Sequence, residues 1–390
     1  MSSLRERTGV RAAPAKIDAV TDRDALFAAL RRRPDVEDPA LRAHDASDAL
    51  ILDEAARLGP LHSEVVVIGD RHGALTLGAL HDGAEHVRVH QDSIVGERAL
   101  DANAAEVGME GFAHHALDAP LVEGARLVLL QLPRSLDELD EIAELIATHA
   151  DERVRVVAGG RVKHMTMTMN ALLGRSFEAV HASHGWRKSR VLHAEEPRRA
   201  GISWPRSRAH HVAGRPLTVV AHGGAFAGTS LDIGAQTLLE HLGQMPDASH
   251  AIDLACGTGV LGVALALARP HVQVLATDAS AAAIASARAT AEANGVADRL
   301  EPRQADGLEG VADGSAGLIL LNPPFHLGAA VHTGIAERLI ADAGPALAPG
   351  GELWCVWNSH LGYRPLLDRV GRTRQVSRNP KFTVTATRRG

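Results

Sequence analysis

The sequence predicts an α/β fold arranged as two doubly wound domains in tandem, and three observations carry that expectation. Short aliphatic runs alternate with Ala/Leu-rich segments at the spacing of strands and helices. The alternation is written twice along the chain, on either side of a Pro/Arg/His-rich stretch. The 390 residues suffice for two cores of ordinary size, and an apolar content of 45% is usual for globular domains.

Residues 1–20 are expected to be a flexible tail, since MSSLRERTGVRAAPAK lacks the hydrophobic segment of a secretory signal. Residues 21–194 make the expected first domain. There VVVIGDRHGALTLGAL (Val65 to Leu80) reads as strand, glycine-containing turn and helix. VRVHQD (Val87 to Asp92) is a second strand ending in acid, and an Ala-rich helix (Ala99 to Ala105) leads to the strand LVLLQLPR (Leu127 to Arg134). Residues 195–216, EEPRRAGISWPRSRAHHVAGRP, have the composition of an exposed linker or arm. Residues 217–390 repeat the pattern with IDLACGTGVLGVALA (Ile252 to Ala266), VQVLATD (Val272 to Asp278), an Ala-rich helix (Ala279 to Ala293) and LILLNPPF (Leu318 to Phe325). The final VSRNPKFTVTATRR alternates apolar and polar residues as an added antiparallel edge hairpin does. The halves differ in chemistry. Cys-Gly-Thr-Gly in the second stands against Gly-Asp-Arg-His-Gly in the first, and Asn-Pro-Pro-Phe against Gln131-Leu132-Pro133-Arg134. The first domain is therefore expected to keep the fold and lack the site; chance likeness of two α/β domains is the alternative.

Composition excludes several classes. A net charge of −6 argues against coating nucleic acid by bulk charge, although a local basic face stays open. Cys256 and Cys355 both sit in apolar runs and suggest neither disulfide nor zinc framework, which fits a reducing, cytoplasmic setting. The apolar run Val260 to Ala268 is far too short to span a bilayer. No metal is assigned, because no histidine pair has ligand spacing beside a carboxylate. In a chain with 22 histidines, His326, His332 and His360 read as loop or polar-contact residues, with a proton carrier as the alternative.

Gly257, Gly259 and Gly262 form a G-x-G-x-x-G turn between strand and helix, where backbone can pass close under a ligand. Asp278, at the end of the next strand, is placed to accept from both ribose hydroxyls. Taken alone, the turn fits a dinucleotide, a nucleoside cofactor or purely structural glycines. Asp253, four residues ahead of Gly257, either braces the turn or holds the cationic amino group of an amino-acid-bearing cofactor. Asp306 in EPRQADGLEG is either a loop residue or one that meets an adenine amino group. Together with Asp278, this spacing favours S-adenosylmethionine over NAD.

Asn322-Pro323-Pro324-Phe325 suits methyl transfer to a flat amine. An exocyclic amine on a nucleobase is a poor nucleophile because its lone pair is delocalised, so its N–H bonds must meet fixed acceptors as it pyramidalises. The Asn322 side-chain oxygen and the Pro323 carbonyl can be those acceptors, and consecutive prolines stiffen the turn that carries them. Phe325 can lie against the base, a contact of roughly 1–3 kcal/mol.

These segments resemble the class I S-adenosylmethionine-dependent methyltransferases with an N-P-P-[FY] motif, and more narrowly the bacterial ribosomal RNA guanine-N2 methyltransferases of the RsmC/RlmG type. The resemblance rests on GGAFAGTSLDIGAQTLLEHL, DLACGTGVLG, LNPPFHLG, GGELWCVWNSHLGYRPLL and KFTVTATRR, with GRVKHMT (Gly160 to Thr166) similar to the amino-terminal domain of the large-subunit branch. It covers most of the chain, closely after Ala221 and loosely before it. It implies two Rossmann-like domains, the second a mostly parallel seven-stranded sheet with an antiparallel hairpin, and the first a degenerate copy. It also implies transfer of a methyl group to the 2-amino group of a guanine in ribosomal RNA. Carried over, Asn322, Pro323, Pro324 and Phe325 are the target-amine motif, while Asp253, Cys256, Gly257 and Gly259 form the cofactor turn. Asp278 is the ribose acid, Asp306 the adenine-side residue, and Asp232 either lines the approach to the cofactor or caps a helix. Ala225 and Trp357 depart from the residues usual at their places.

The expected RNA contacts are Arg161, Lys163, Trp186, Arg187, Lys188 and Arg190, with His164 beside them and Arg198, Arg199, Arg206 and Arg208 continuing the run; a solvated linker is the alternative. Three rival functions stay open. One is an amine methyltransferase acting on DNA adenine or protein glutamine, another an NAD-dependent oxidoreductase, and the third an RNA chaperone without catalysis.

Overall fold

Val65-Val66-Val67-Ile68 offers aliphatic side chains to both faces, which suits only a central strand covered on both sides. In the computed structural model, which describes residues 22–35, 37, 41–61, 65–324 and 329–390 (329–333 by backbone alone), all four are buried. They form β1 (Val65–Ile68), flanked in parallel by β2 (Val87–His90) and β4 (Leu127–Gln131). With β3 (Phe112–His114), β5 (Arg155–Arg161), β6 (Phe177–Ala182) and β7 (Ser189–Pro197), the sheet runs β3-β2-β1-β4-β5-β7-β6.

The second half repeats this order strand for strand. β10 (His250–Leu254), β11 (Gln273–Asp278), β12 (Leu300–Gln304), β13 (Ala316–Leu321), β14 (Leu347–Asn358), β15 (Arg372–Arg378) and β16 (Phe382–Arg388) run β12-β11-β10-β13-β14-β16-β15. β15 and β16 pair antiparallel, as the alternating terminal segment predicts. The first half carries the same hairpin in β6 and β7, which its sequence does not announce. Each sheet has an apolar cluster on either face. No helix among the described residues is long and apolar enough to cross a membrane.

Residues 195–216, expected as an exposed linker, are mostly structured. β7 runs on to Pro197, and β8 (Arg206–Val212) pairs antiparallel with β9 (Arg215–Ala221). β9 is fastened to the Ala281–Ala293 helix by Thr290 Oγ1, which bridges the N–H and carbonyl of Val220, and by Asn294, which does the same for Thr218. The expected tail, residues 1–20, lies outside the described residues.

Candidate active site

β10 has β11 on one side and β13 on the other, so the strand order reverses there and opens a crevice at the carboxyl ends. The glycine turn enters that crevice from β10. Ala255, Gly257 and Gly259 have φ of 57°, 54° and 75°, a left-handed run that an alanine adopts only at a cost. Asp253 lies beneath the turn with no exposed surface. Its Oδ2 accepts the Gly262 N–H at 2.8 Å, and its Oδ1 is buried without a partner. Burial pushes its carboxyl up to about 7 against the pull of the Gly262 N–H, and the neighbouring Asp278 charge adds to the rise.

Asp278 holds the outer side of the same turn. Its Oδ2 accepts from Gly257 N–H at 3.0 Å and its Oδ1 from Ser280 N–H at 3.0 Å, and burial raises its carboxyl above the ordinary range. Cys256 is buried, and that burial, with Asp278 and Asp253 close by, lifts its thiol well above the usual value. It stays protonated and is no nucleophile. Asp306 sits just past β12, where both of its oxygens take the guanidinium of Arg338 from the Ala329–Ala346 helix.

Asn322 leaves β13 into the same crevice. Its Nδ2 donates to Asp232 Oδ2 at 2.9 Å. A carboxylate only accepts, so this contact fixes the amide with its nitrogen towards Asp232 and its oxygen away. That Oδ1 is buried and has no hydrogen-bond partner. Asp232 is also the N-cap of the Ile233–Leu239 helix, accepting from Ala235 N–H at 3.1 Å, so one residue does both jobs. Gly234, which sequence reasoning passed over, is what lets the pair meet. A Cβ there would stand 2.7 Å from Asn322 Oδ1 and 2.9 Å from Asp232 Oδ2. Its place two residues after Asp232 is the only sequence signal it gives. Pro323 is buried and Pro324 half-buried. Phe325 and His326 lie outside the described residues, as does the side chain of His332. Trp357 belongs to the core, 5.9 Å from the Tyr363 ring.

The first half keeps this geometry in altered form. Gln131 ends β4 as Asn322 follows β13, and its Nε2 donates to Asp48 in the Ala46–Arg57 helix. Here a hydroxyl stands beside the amide oxygen: Ser47 Oγ lies 3.3 Å from Oε1, with its proton drawn to the nearer Asp45 carboxylate.

The expected RNA-contact residues lie at one end of the β5–β7 pair, with Arg161 and Arg190 on opposite faces of it. β5 and β7 pair so that Gly160 faces Arg190 and Arg161 faces Ser189, and Val162 N–H donates to Lys188 O at 2.9 Å. Arg187 lies over the Trp186 ring at 4.5 Å, and Trp186, Val162 and Met167 are exposed. Slight burial and the charges of Arg134, Lys163, Arg71 and Arg161 hold the His164 imidazole below its usual range, which brings Arg71 and Arg134 near Arg161 and Lys163. Sequence reasoning missed both, because they arrive from the turns after β1 and β4. Three of the arginines beyond β7 are engaged within the protein, and Arg208 is exposed. Arg198 pairs with Glu178 at 2.9 Å, Arg199 donates to the carbonyls of Thr148 and Ala150, and Arg206 pairs with Asp140 at 2.7 Å while stacking on Trp204.

Known proteins resemble the chain along nearly its whole length. The family model described as RLMG N-terminal domain matches residues 20–198, and that described as Methyltransferase small domain matches residues 216–386. The ribosomal RNA large subunit methyltransferase G of Streptomyces coelicolor is 38% identical over 368 residues, covering 91% of this chain and 96% of its own. Its namesake in Pseudomonas paraeruginosa is 37% identical over 363 residues with the same coverage. Among solved structures, the T. thermophilus 16S rRNA N2 G1207 methyltransferase (RsmC), in complex with AdoMet and guanosine, superposes with a TM-score of 0.72 at 20% identity. It covers 91% of this chain and 97% of its own, a likeness of fold. The chain belongs to the ribosomal RNA large subunit methyltransferase G family.

Proposed function

We propose that the second half transfers a methyl group from S-adenosylmethionine to the 2-amino group of a guanine in large-subunit ribosomal RNA. The carrying observation is Asn322, whose amide is oriented by Asp232 and whose oxygen is buried without a partner. An orphaned acceptor costs about 1–3 kcal/mol, and the N–H of a bound amine relieves that cost. At the equivalent amide of the first half, Gln131, the Ser47 hydroxyl stands 3.3 Å from the oxygen and occupies that place.

The crevice fits the cofactor. A Cβ added at Gly257 would meet nothing within 4 Å, so backbone is open to a ligand there. Asp278 spends one hydrogen bond per oxygen on the turn and keeps lone pairs for ribose hydroxyls. Asp253 contributes by holding the turn from below, and Cys256 packs behind it. Asp306, tied to Arg338, approaches an adenine as part of an ion pair. When bound, S-adenosylmethionine supplies a methyl carbon made electrophilic by its sulfonium. Asn322 Oδ1 and the Pro323 carbonyl then take the two N–H bonds of the guanine amine and draw its lone pair out of the ring plane. The methyl carbon's bond to sulfur breaks as its bond to nitrogen forms, S-adenosylhomocysteine leaves, and the methylated amine, now acidic, gives its extra proton to water, so no strong base is needed.

The first half serves to position the RNA. Arg161 and Lys163, near Arg71 and Arg134, are basic groups able to hold phosphates, while the exposed Trp186, with Arg187 over its ring, can stack a base at the same end of the sheet. Work on ribosomal RNA puts the protein in the cytoplasm. Mass mapping of ribosomal RNA from a deletion strain is expected to lose one N2-methylguanine of the large subunit, restored by the purified protein with S-adenosylmethionine. An unchanged map, with tritium transfer going to DNA or protein instead, would overturn the assignment.

A further inference from the structure

The two halves meet at equivalent positions. Asp92 stands where the second half has Ala279, with Gln91 in the place of Asp278, and Ser93 pairs with Ser280 in an antiparallel bridge. The main-chain bonds are reciprocal: Ile94 N–H donates to Ala279 O at 3.0 Å, and Ala281 N–H to Asp92 O at 2.7 Å. The side chains break the symmetry. Asp92 Oδ1 accepts from Ser280 Oγ at 3.0 Å and from Ala282 N–H at 2.9 Å. Gln304, at the end of β12, donates to Asp92 O at 3.1 Å and to Ala279 O at 3.0 Å.

These contacts lead straight to the glycine turn. Ser280 gives its N–H to Asp278 Oδ1, and Asp278 Oδ2 holds Gly257 N–H. The Ala281–Ala293 helix already has an N-cap in Ser280 Oγ, which accepts from Ala283 N–H at 3.0 Å, so helix formation does not require Asp92. What Asp92 adds is a carboxylate from the other half that fixes the hydroxyl of Ser280 and the N–H of Ala282, while Gln304 holds the main-chain carbonyls of both Asp92 and Ala279.

We propose that Asp92 of the first half is a positioning residue of the cofactor pocket: it presets the loop carrying Asp278 from across the junction. This rests on the reading that the crevice binds S-adenosylmethionine. Asp92→Ala in the full chain is expected to raise the KM for S-adenosylmethionine about tenfold, the scale of one charge-assisted hydrogen bond, with kcat lowered far less. Asp92→Asn, which keeps an acceptor oxygen, is expected to recover most of that loss. In a Ser280→Ala background the effect of Asp92→Ala should shrink, as coupled neighbours do. If Asp92→Ala fails to fold, Gln304→Met removes the second tie alone and carries the same expectation of a raised KM.

Calorimetric titration with S-adenosylhomocysteine separates the two levels. If the wild-type protein binds it and the Asp92 and Gln304 variants bind equally well, the positioning role is overturned while the site stands. A fall in kcat with no change in KM would likewise reduce Asp92 to a structural contact. If the wild-type protein does not bind it, the site and the positioning role fall together.

Discussion

Asn322 and Gln131 end equivalent strands, each donating its amide nitrogen to an acid on the helix before the sheet, and the Asn322 oxygen is buried without a partner. The role of Asp232 can be isolated at this scale. Asparagine caps helices as well as aspartate does, so Asp232→Asn should leave the melting temperature nearly unchanged. It replaces an acceptor-only group with one that also donates, so the Asn322 amide loses its fixed sense. We expect kcat to fall about tenfold or more, with the KM for S-adenosylmethionine little altered. Full turnover in that variant would show that the Asp232 contact does not orient the amide. Asn322→Ala should cost roughly 100-fold or more in kcat, the scale seen when one preorganised polar group is removed from a transition state, with S-adenosylhomocysteine binding retained. The amide itself was legible from Asn-Pro-Pro-Phe. Its orientation was not, because Asp232 lies 90 positions away and meets it only through the fold.

The glycine turn was the most legible element, since glycine spacing after an aliphatic run reports backbone conformation directly. Gly259 bears this out with φ of 75°, and a Cβ there would stand 2.9 Å from Ala287 Cβ. Gly259→Ala should therefore destabilise the second half by about 1–3 kcal/mol, measured by denaturant titration. Ala255 makes the opposite case, holding φ of 57° without being glycine. Ala255→Gly should relieve a left-handed cost of about 1 kcal/mol, less what glycine's freer unfolded chain takes back. A loss of stability in that variant would mean that the methyl group's packing outweighs its strain. The β8–β9 hairpin was not legible, for a reason of composition. β8 is mostly exposed and reads Arg-Ser-Arg-Ala-His-His-Val, with no apolar alternation to mark it as a strand. It is held by main-chain pairing to β9, and β9 in turn by Thr290 and Asn294 on a neighbouring helix.

Across the whole molecule, the duplication was visible because strand, turn and helix recur in the same sequence, and the two sheets have the same strand order. The junction left no such trace, since Asp92, Glu138 and Glu141 become neighbours of the second half only once both sheets exist. Ser135 Oγ donates to Gly223 O, while Glu141 accepts from Gly223 N–H and pairs with His222. Burial there has a consequence for stability. Asp48 in the first half, Glu138 at the junction and Asp253 under the glycine turn are each pushed up to about 7, with burial as the largest cause. An acid raised in this way binds its proton more tightly when folded than when unfolded. As pH climbs from about 4 to about 7, the unfolded chain sheds these protons first, and each group subtracts stability across that window. The melting temperature should thus be higher near pH 6 than near pH 8, unlike that of a protein whose acids are all ion-paired. Asp253→Asn keeps an acceptor for Gly262 N–H and removes one titrating group, so it should flatten the decline. A wild-type melting temperature that rises steadily to about pH 8 would mean that these three carboxyls ionise as readily in the folded chain as in the unfolded one.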